Sequence, residues 1–252
     1  MTRKDIFNEV RKIRGSLSDD QVKAGDEIMD KLGEDIVRRL TGMSTAKTIL
    51  TVEQLKKIYP SANVAFVDVI NSISPKYEIT TTKRMAMFLA QVLHESGGFN
   101  KLRESLAYTP QRLAQVFPNR FKTVAQAKLV TDKGQVAIGD SIYGGRMGNG
   151  KDNGDGYKYR GGGLLHTTGK DNYTIVSKNM NASGVKIDLV SRPEDIVKPE
   201  IAVESAMIFW RDNKLNALAD KDMITEATKV VNGGTNGLAE RKALYSKAIA
   251  VL

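Results

Sequence analysis

Two glutamates stand nine residues apart in the segment AQVLHESGGFNKLRESLAY. The first, Glu95, ends a stripe of apolar residues with helical spacing, and two glycines separate it from the second, Glu104. The edge of a buried face and the negative end of a helix macrodipole both disfavour the charged form of Glu95. Lys101 and Arg103 act in the opposite direction and favour the charged form of Glu104.

One neutral and one ionised carboxyl group are what glycosidases use as acid and base. The pattern therefore predicts a glycoside hydrolase whose site contains both glutamates. Simpler interpretations stay open for each residue. Glu95 could point into solvent or pair with one of the 38 basic residues, and Glu104 could form a surface ion pair with Arg103 or Lys101.

The elements that position these residues are predicted to be helices, because apolar residues recur at helical spacing and no convincing strand pattern occurs. Trp210 ends one of these helices among apolar residues, so we expect it in the core rather than in a cleft. The predicted helices after residue 50 are Val52–Ile58, Val64–Ile73, Arg84–Ser96, Pro110–Val116, Val124–Leu129, Ile201–Trp210, Met223–Val231 and Leu238–Leu252.

The segment between Thr131 and Gly169 is rich in glycine, asparagine and tyrosine. It is too long and too polar for an ordinary connection, which predicts a functional or mobile loop. Its Tyr143, Tyr157 and Tyr159 could stack on sugar faces or anchor the loop.

The first part of the chain has a helical pattern of its own. Ser18 to Gln21 is a capping-box sequence, which predicts the start of a helix. A polar stretch follows before the helical pattern resumes near Thr51. We therefore divide the chain into a small helical module, residues 1–48, and a catalytic domain, residues 49–252. The module could bind the cell wall or serve as an inert appendage.

Composition narrows the class of protein. The chain has 252 residues, no cysteine and a formal net charge of +9. The first 50 residues hold 10 basic and 9 acidic side chains, so +8 lies in residues 51–252. This excess suggests an anionic partner such as a cell wall, a lipid surface or nucleic acid. With neither a secretory signal nor an apolar segment of membrane-spanning length, we expect synthesis in the cytoplasm and release by another factor.

Four segments occur in the order LAQVLHESGGF, ESLAY, YRGGGLLHTTGKDNY and ATKVVNGG. Together they resemble the glycoside hydrolase family 19 superfamily, and most closely its bacteriophage endolysin branch of muramidases. The resemblance covers roughly residues 50–252 and implies a mainly α, lysozyme-like fold with two helical lobes and a cleft. It also implies cleavage of the β-1,4 bond between N-acetylmuramic acid and N-acetylglucosamine in peptidoglycan, with host cell lysis after release through a phage holin.

The resemblance assigns roles to individual residues. Glu95 corresponds to the general acid, Glu104 to the base, and Thr168 to a residue that helps hold the attacking water. Where family members commonly have Arg and Gln, this chain has Gly162 and His166. These two differences affect the implied sugar contacts more than the implied chemistry. The implied substrate-binding residues are His166, Tyr173, Asn232 and Arg241. Family 19 enzymes are generally inverting, which implies a carboxyl separation of roughly 6.5–9.5 Å.

We expect a monomeric enzyme whose partner is the glycan strands of peptidoglycan. Nucleic acid is not an expected partner, and contact with an anionic outer membrane is a further option. Neither a metal nor another cofactor is expected, because His94 and His166 are the only histidines and catalytic zinc normally takes three protein ligands. The alternatives are a chitinase of the same superfamily, a metal-dependent amidase, and a non-catalytic basic protein that binds cell wall or nucleic acid.

Overall fold

The computed structural model describes Ser18, residues 20–24 and residues 49–252. Within these residues the protein is helical, and sheet-like pairing is limited to two isolated bridges, Arg103 with Gly162 and Gly162 with Thr167. The prediction of a mainly α fold is confirmed. None of the described helices combines the length and the apolar character needed to cross a membrane.

Residues 49–252 form the α-helices that position the site. They are α1 (Val52–Ile58), α2 (Phe66–Ile73), α3 (Thr82–Glu95), α4 (Pro110–Val116), α5 (Val124–Thr131), α6 (Gln135–Tyr143), α7 (Asp155–Lys158), α8 (Lys170–Ala182), α9 (Pro199–Asp212), α10 (Leu215–Asp220), α11 (Ile224–Asn232) and α12 (Leu238–Val251). Two 3-10 turns, Ser74–Tyr77 and Pro193–Val197, complete the set. Every helix predicted after residue 50 is present, with its ends within two residues of the expected positions.

Helix α3 is the centre of the larger hydrophobic core. The Thr81 side chain caps its first turn by accepting from the amide of Arg84, and every residue from 85 to 93 is buried. Helix α12 packs along it. Trp210 of α9 is fully buried, lies edge-on to Phe88 with ring centroids 5.4 Å apart, and donates from Nε1 to Asn216 at 2.9 Å. The expectation that Trp210 belongs to the core is confirmed.

A second, smaller core lies between helices α4 and α7. Its fully or nearly fully buried members are Leu106, Leu113, Phe121, Ala127, Ile138 and Ile142. We call residues 105–158 the small lobe and the rest of residues 49–252 the large lobe. Two separate cores give the two-lobed helical fold that the sequence predicted.

The prediction of one long loop between Thr131 and Gly169 is wrong. Helices α6 and α7 occupy much of it, and helix α8 follows directly. Gly139 and Gly156 let α6 and α7 pack closely, because a Cβ on Gly139 would lie 2.6 Å from the amide nitrogen of Tyr157. Asp140 then accepts hydrogen bonds from the amides of Gly154 and Gly156, at 2.7 and 3.0 Å. The glycines here serve close packing, which composition alone did not reveal.

Near the N-terminus, the predicted capping box is present. The Gln21 amide donates to Oγ of Ser18 at 3.3 Å, and the Ser18 amide donates to Oε1 of Gln21 at 3.0 Å. Residues 20–24 are helical. The rest of the predicted 1–48 module lies outside the described residues. Contacts divide the chain into units Met1–Lys47 and Thr48–Leu252.

A tight left-handed turn joins α3 to the segment that carries Glu104. Gly97, Gly98 and Phe99 have φ values of +56°, +72° and +66° in succession. The Gly98 amide donates to the Leu93 carbonyl at 2.8 Å, and the Phe99 amide donates to Oγ of Ser96 at 2.9 Å. This turn fixes how the chain leaves Glu95.

The turn predicts a specific response to adding a methyl group. A Cβ on Gly98 would lie 2.6 Å from the Tyr59 ring, whereas a Cβ on Gly184, at φ +89°, would meet nothing within 4 Å. Gly98→Ala should lower the free energy of unfolding by more than about 2 kcal/mol, and Gly184→Ala by about 1 kcal/mol, since both require left-handed backbone but only the first collides. Urea denaturation measures both, and equal losses would contradict the role of the Tyr59 contact.

Candidate active site

Glu95 is the last residue of α3, and its carboxylate meets a buried cation. Nη2 of Arg241 on α12 donates to Oε1 of Glu95. The Arg241 side chain has no exposed surface, whereas 20% of the Glu95 side chain is exposed. A charge as deeply buried as that of Arg241 requires a partner, and the carboxylate oxygen of Glu95 supplies it. Of the interpretations left open for Glu95, pairing with a cation is the one realised.

Arg241 connects three helices of the large lobe. Its Nη1 donates to Oε1 of Gln91 at 2.6 Å, and Nε2 of Gln91 donates to Oγ1 of Thr228 on α11 at 3.2 Å. The prediction that Arg241 contacts substrate is wrong, because its side chain is fully buried. It is a positioning residue that acts through Glu95.

Glu104 has neutral hydrogen-bond donors on both carboxylate oxygens. Tyr143 of α6 donates its hydroxyl to Oε1 at 2.7 Å, and the Gly161 amide donates to Oε2 at 3.1 Å. Burial and the bond to Glu104 raise the pKa of Tyr143, which keeps its hydroxyl protonated. The alternative of an ion pair between Glu104 and Arg103 is not realised, because Arg103 donates to the Tyr173 hydroxyl and to the Pro193 carbonyl.

Gly161 is the point on the cleft floor where the predicted groups meet. A Cβ placed on it would lie 3.3 Å from Cβ of Glu104, 3.3 Å from Nδ1 of His166 and 3.4 Å from Oγ1 of Thr168. Thr168 donates its hydroxyl to the His166 carbonyl at 2.9 Å, and Nε2 of His166 lies 3.0 Å from the Lys101 carbonyl. The structure therefore brings together Glu104, Thr168 and His166.

Tyr173 supports this floor from below. It is fully buried, accepts from Nη1 of Arg103 at 2.7 Å and donates to the Arg160 carbonyl at 2.9 Å. Burial raises its pKa to about 12. The prediction of a substrate contact is wrong for Tyr173, since it has no exposed surface. The same packing explains Gly162, because a Cβ there would lie 2.5 Å from the Tyr173 hydroxyl.

Asn232 ends α11 and is only partly buried. Its Oδ1 is buried and has no hydrogen-bond partner among the described residues. Its neighbour Val231 lines a cavity of about 510 Å³ that also includes His166 and Thr168 and runs between α8 and α9. Its contact with substrate stays a prediction.

The two histidines lie in different surroundings. A Cβ on Gly237 would overlap Nε2 of His94, so the His94 ring packs directly on that glycine, whereas His166 lies at the floor. Burial and the positive charge of Arg241 lower the pKa of His94. In the described part of the chain, no three side chains of the types that bind metal ions cluster together.

Two residues of the site were not predicted from the sequence, and a third has a role other than the predicted one. Gln91 stands among apolar positions on the buried face of α3, and such a polar residue needs a partner, which was a usable signal. Gly161 is the first of three consecutive glycines, and the sequence does not distinguish its role from that of the other two. Tyr143 was expected to stack on sugar or anchor the loop, yet it orients Glu104. Tyr159 is 1% exposed and bonds the Val190 carbonyl, which leaves it only the anchoring role.

The chain is similar to known proteins both in sequence and in structure. A Haemophilus influenzae protein described as glycosyl hydrolase family 19 domain-containing is 38% identical over 191 residues, which is 75% of this chain and 90% of that protein. Chitinase C from Streptomyces griseus HUT6037 has a TM-score of 0.55 at 17% identity, covering 82% of this chain and 94% of its own. A mutant of chitinase C gives 0.53 at 18% identity with the same coverage. No protein-family model matches the chain.

The buried ion pair predicts a large stability effect at Arg241. Arg241→Met should lower the free energy of unfolding by about 3 kcal/mol, because Glu95 and Gln91 both lose their donor. Glu95→Gln is the matched control, since a glutamine oxygen can still accept from Arg241, and it should cost about 1 kcal/mol. Denaturation in urea tests both variants. A loss of less than about 1 kcal/mol in Arg241→Met would show that the pair is not stabilising.

The hydroxyl of Tyr143 predicts an effect on turnover. Tyr143→Phe should lower kcat about tenfold without changing KM, because Glu104 loses a hydrogen bond to its charged form. Tyr245→Phe is the control, since it removes a tyrosine–carboxylate bond, to Asp222, that involves neither glutamate. Steady-state hydrolysis of a glycan substrate measures both. Equal kcat values for wild type and Tyr143→Phe would mean that Tyr143 does not orient Glu104.

Proposed function

The chain belongs to glycosyl hydrolase family 19, and on that premise we propose that it is a muramidase. The reaction is hydrolysis of the β-1,4 bond between N-acetylmuramic acid and N-acetylglucosamine in peptidoglycan. Host cell lysis as a phage endolysin, after holin-dependent release, is the biological setting of the proposal. That setting rests on the resemblance of the four sequence segments to the endolysin branch.

The observation that carries the proposal is the unequal support of the two glutamates. One carboxylate oxygen of Glu95 accepts a hydrogen bond from the positively charged Arg241. Glu104, beside Thr168, accepts hydrogen bonds from two neutral donors. A general acid becomes a carboxylate as it gives up its proton, so Arg241 stabilises charge that develops during bond cleavage. Oε2 of Glu95 has no hydrogen-bond partner within the described residues, which leaves it available to the glycosidic oxygen.

In the proposed reaction, Glu95 gives up one proton and Glu104 takes up one. Glu95 donates a proton to the glycosidic oxygen while the bond from that oxygen to the anomeric carbon breaks. A water held by Glu104 and Thr168 attacks the anomeric carbon, and Glu104 takes the proton that this water loses. Inversion at the anomeric carbon would follow if the water attacks from the opposite face, and it stays a prediction.

Two features support an N-acetylated, anionic substrate. The sequence resemblance assigns Asn232 to a contact with an N-acetyl group, and this residue is only partly buried, with no hydrogen-bond partner for its Oδ1 among the described residues. Both chitin and peptidoglycan carry such groups. The +8 charge of residues 51–252 favours peptidoglycan, because its peptide stems are anionic whereas chitin is neutral.

A chitinase is the second candidate. The similar solved structures carry that name, but identities of 17% and 18% establish only a common fold. Short chitin oligomers distinguish the two activities, since the proposed enzyme should leave them largely intact.

The proposal predicts the products of digestion. Wild type should release reducing muramic-acid ends from purified peptidoglycan, with or without a chelator, while Glu95→Gln should release none and keep its fold. Thr168→Ala should only slow the reaction, because Glu104 still binds the water. Mass spectrometry of borohydride-reduced products identifies the ends. Release of free amino groups that stops with chelator would instead establish a metal-dependent amidase or peptidase.

A further inference from the structure

The small lobe has an excess of positive charge close to Glu104. Residues 105–158 contain eight basic and four acidic side chains, and no acidic residue occurs between Glu104 and Asp132. Three of the four acidic side chains already have partners. Asp132 pairs with Lys128, Asp155 pairs with Lys170, and Asp140 accepts backbone amides. The arginines of this lobe are therefore not neutralised by these three carboxylates.

Three arginines of the small lobe are exposed: Arg112, Arg120 and Arg146. Arg120 and Arg146 line a depression of about 550 Å³ together with Phe117. Arg112 donates to Oε1 of Gln115 at 2.8 Å, and Arg120 donates to the Ser141 carbonyl. In residues 49–252, none of the three has a carboxylate within ion-pair distance.

Arg120 and Arg146 of this depression, which we call the arginine patch, belong to the lobe that supplies Tyr143 to the candidate base. The Arg146 amide donates to the carbonyl of Tyr143 at 3.3 Å, and the Tyr143 hydroxyl donates to Glu104. The Phe117 ring lies edge-on to Tyr108, with centroids 5.9 Å apart. Burial and Glu104 raise the pKa of Tyr143, whereas the positive charge of Arg146 lowers it. Tyr143 thus contacts both Arg146 of the patch and Glu104.

We propose that the arginine patch binds the carboxylates of the peptide stems that project from the muramic-acid sugars. This inference rests on the proposed muramidase function and adds the part of the substrate that is recognised. Stems that project toward the small lobe from a strand bound at Glu104 would meet these arginines, and a guanidinium fork matches a carboxylate with two hydrogen bonds. Phe117 and Val116 in the same depression offer apolar surface to alanine methyl groups.

Peptide-bearing glycan strands and strands stripped of their stems by an amidase form the test pair. Arg120→Glu/Arg146→Glu should raise KM for peptide-bearing strands about tenfold, with kcat within about twofold, because reversing two exposed charges weakens binding modestly. KM for stripped strands should not change. The effect should disappear at about 1 M salt, where the Debye length is about 3 Å.

Lys186→Glu/Lys247→Glu is the matched control, since it makes the same change in net charge at two exposed lysines of the large lobe. It should leave both KM values unchanged. An equal rise in KM for the control would show that the effect comes from the overall charge of the protein. An equal rise in KM for stripped strands would show that the arginines bind the glycan rather than the stems. Either result would overturn the proposal.

A binding measurement separates this inference from the muramidase proposal. A soluble stem tetrapeptide should bind Glu95→Gln in calorimetry and should lose affinity about tenfold when Arg146→Glu is added. Arg146 suits this test because its side chain makes no hydrogen bond within the described residues. Tetrapeptide binding without any cleavage of peptidoglycan would support the patch and contradict the muramidase. Tighter binding of a short DNA duplex, lost in Arg146→Glu, would make the patch a phosphate site and contradict the inference.

Discussion

The buried guanidinium of Arg241 is the constraint on which the rest of the large lobe depends. A cation without exposed surface is tolerated only where carboxylate and carbonyl oxygens surround it, and here Glu95, Gln91 and the Asn236 carbonyl supply them. These partners come from α3 and from the segment before α12. Because the buried charge of Arg241 needs these partners, it fixes the end of α3 and, with it, the position of the candidate acid.

The floor of the cleft is organised by the absence of a side chain. Gly161 lets Glu104, His166 and Thr168 approach one another, and its amide holds one oxygen of Glu104. Below it, Arg103 and Tyr173 fill the space with a satisfied polar pair. Chemistry at the surface of the floor thus rests on polar packing beneath it, which is why several residues of the sequence motif are buried.

The sequence was informative where apolar periodicity is strong and uninformative where a partner is distant in the chain. Helices α1 to α5, α9, α11 and α12, the core position of Trp210 and the meeting of Glu104 with Thr168 followed from pattern or resemblance, whereas helices α7, α8 and α10 were not predicted. Helix α6 was missed because its surroundings are rich in glycine, and those glycines pack helices together. The burial of Arg241 and Tyr173 could not be inferred, because motif identity does not say which side of a floor a residue occupies.

Glu104 takes one hydrogen bond from each lobe, from Tyr143 on the small lobe and from Gly161 on the large one. Its orientation therefore reports the distance between the lobes. If the cleft opens to take in or release a strand, the bond across the cleft must lengthen first, and the base loses its alignment. Both hydrogen bonds are formed in this structure, so the arrangement of the two lobes described here is one that keeps the base aligned.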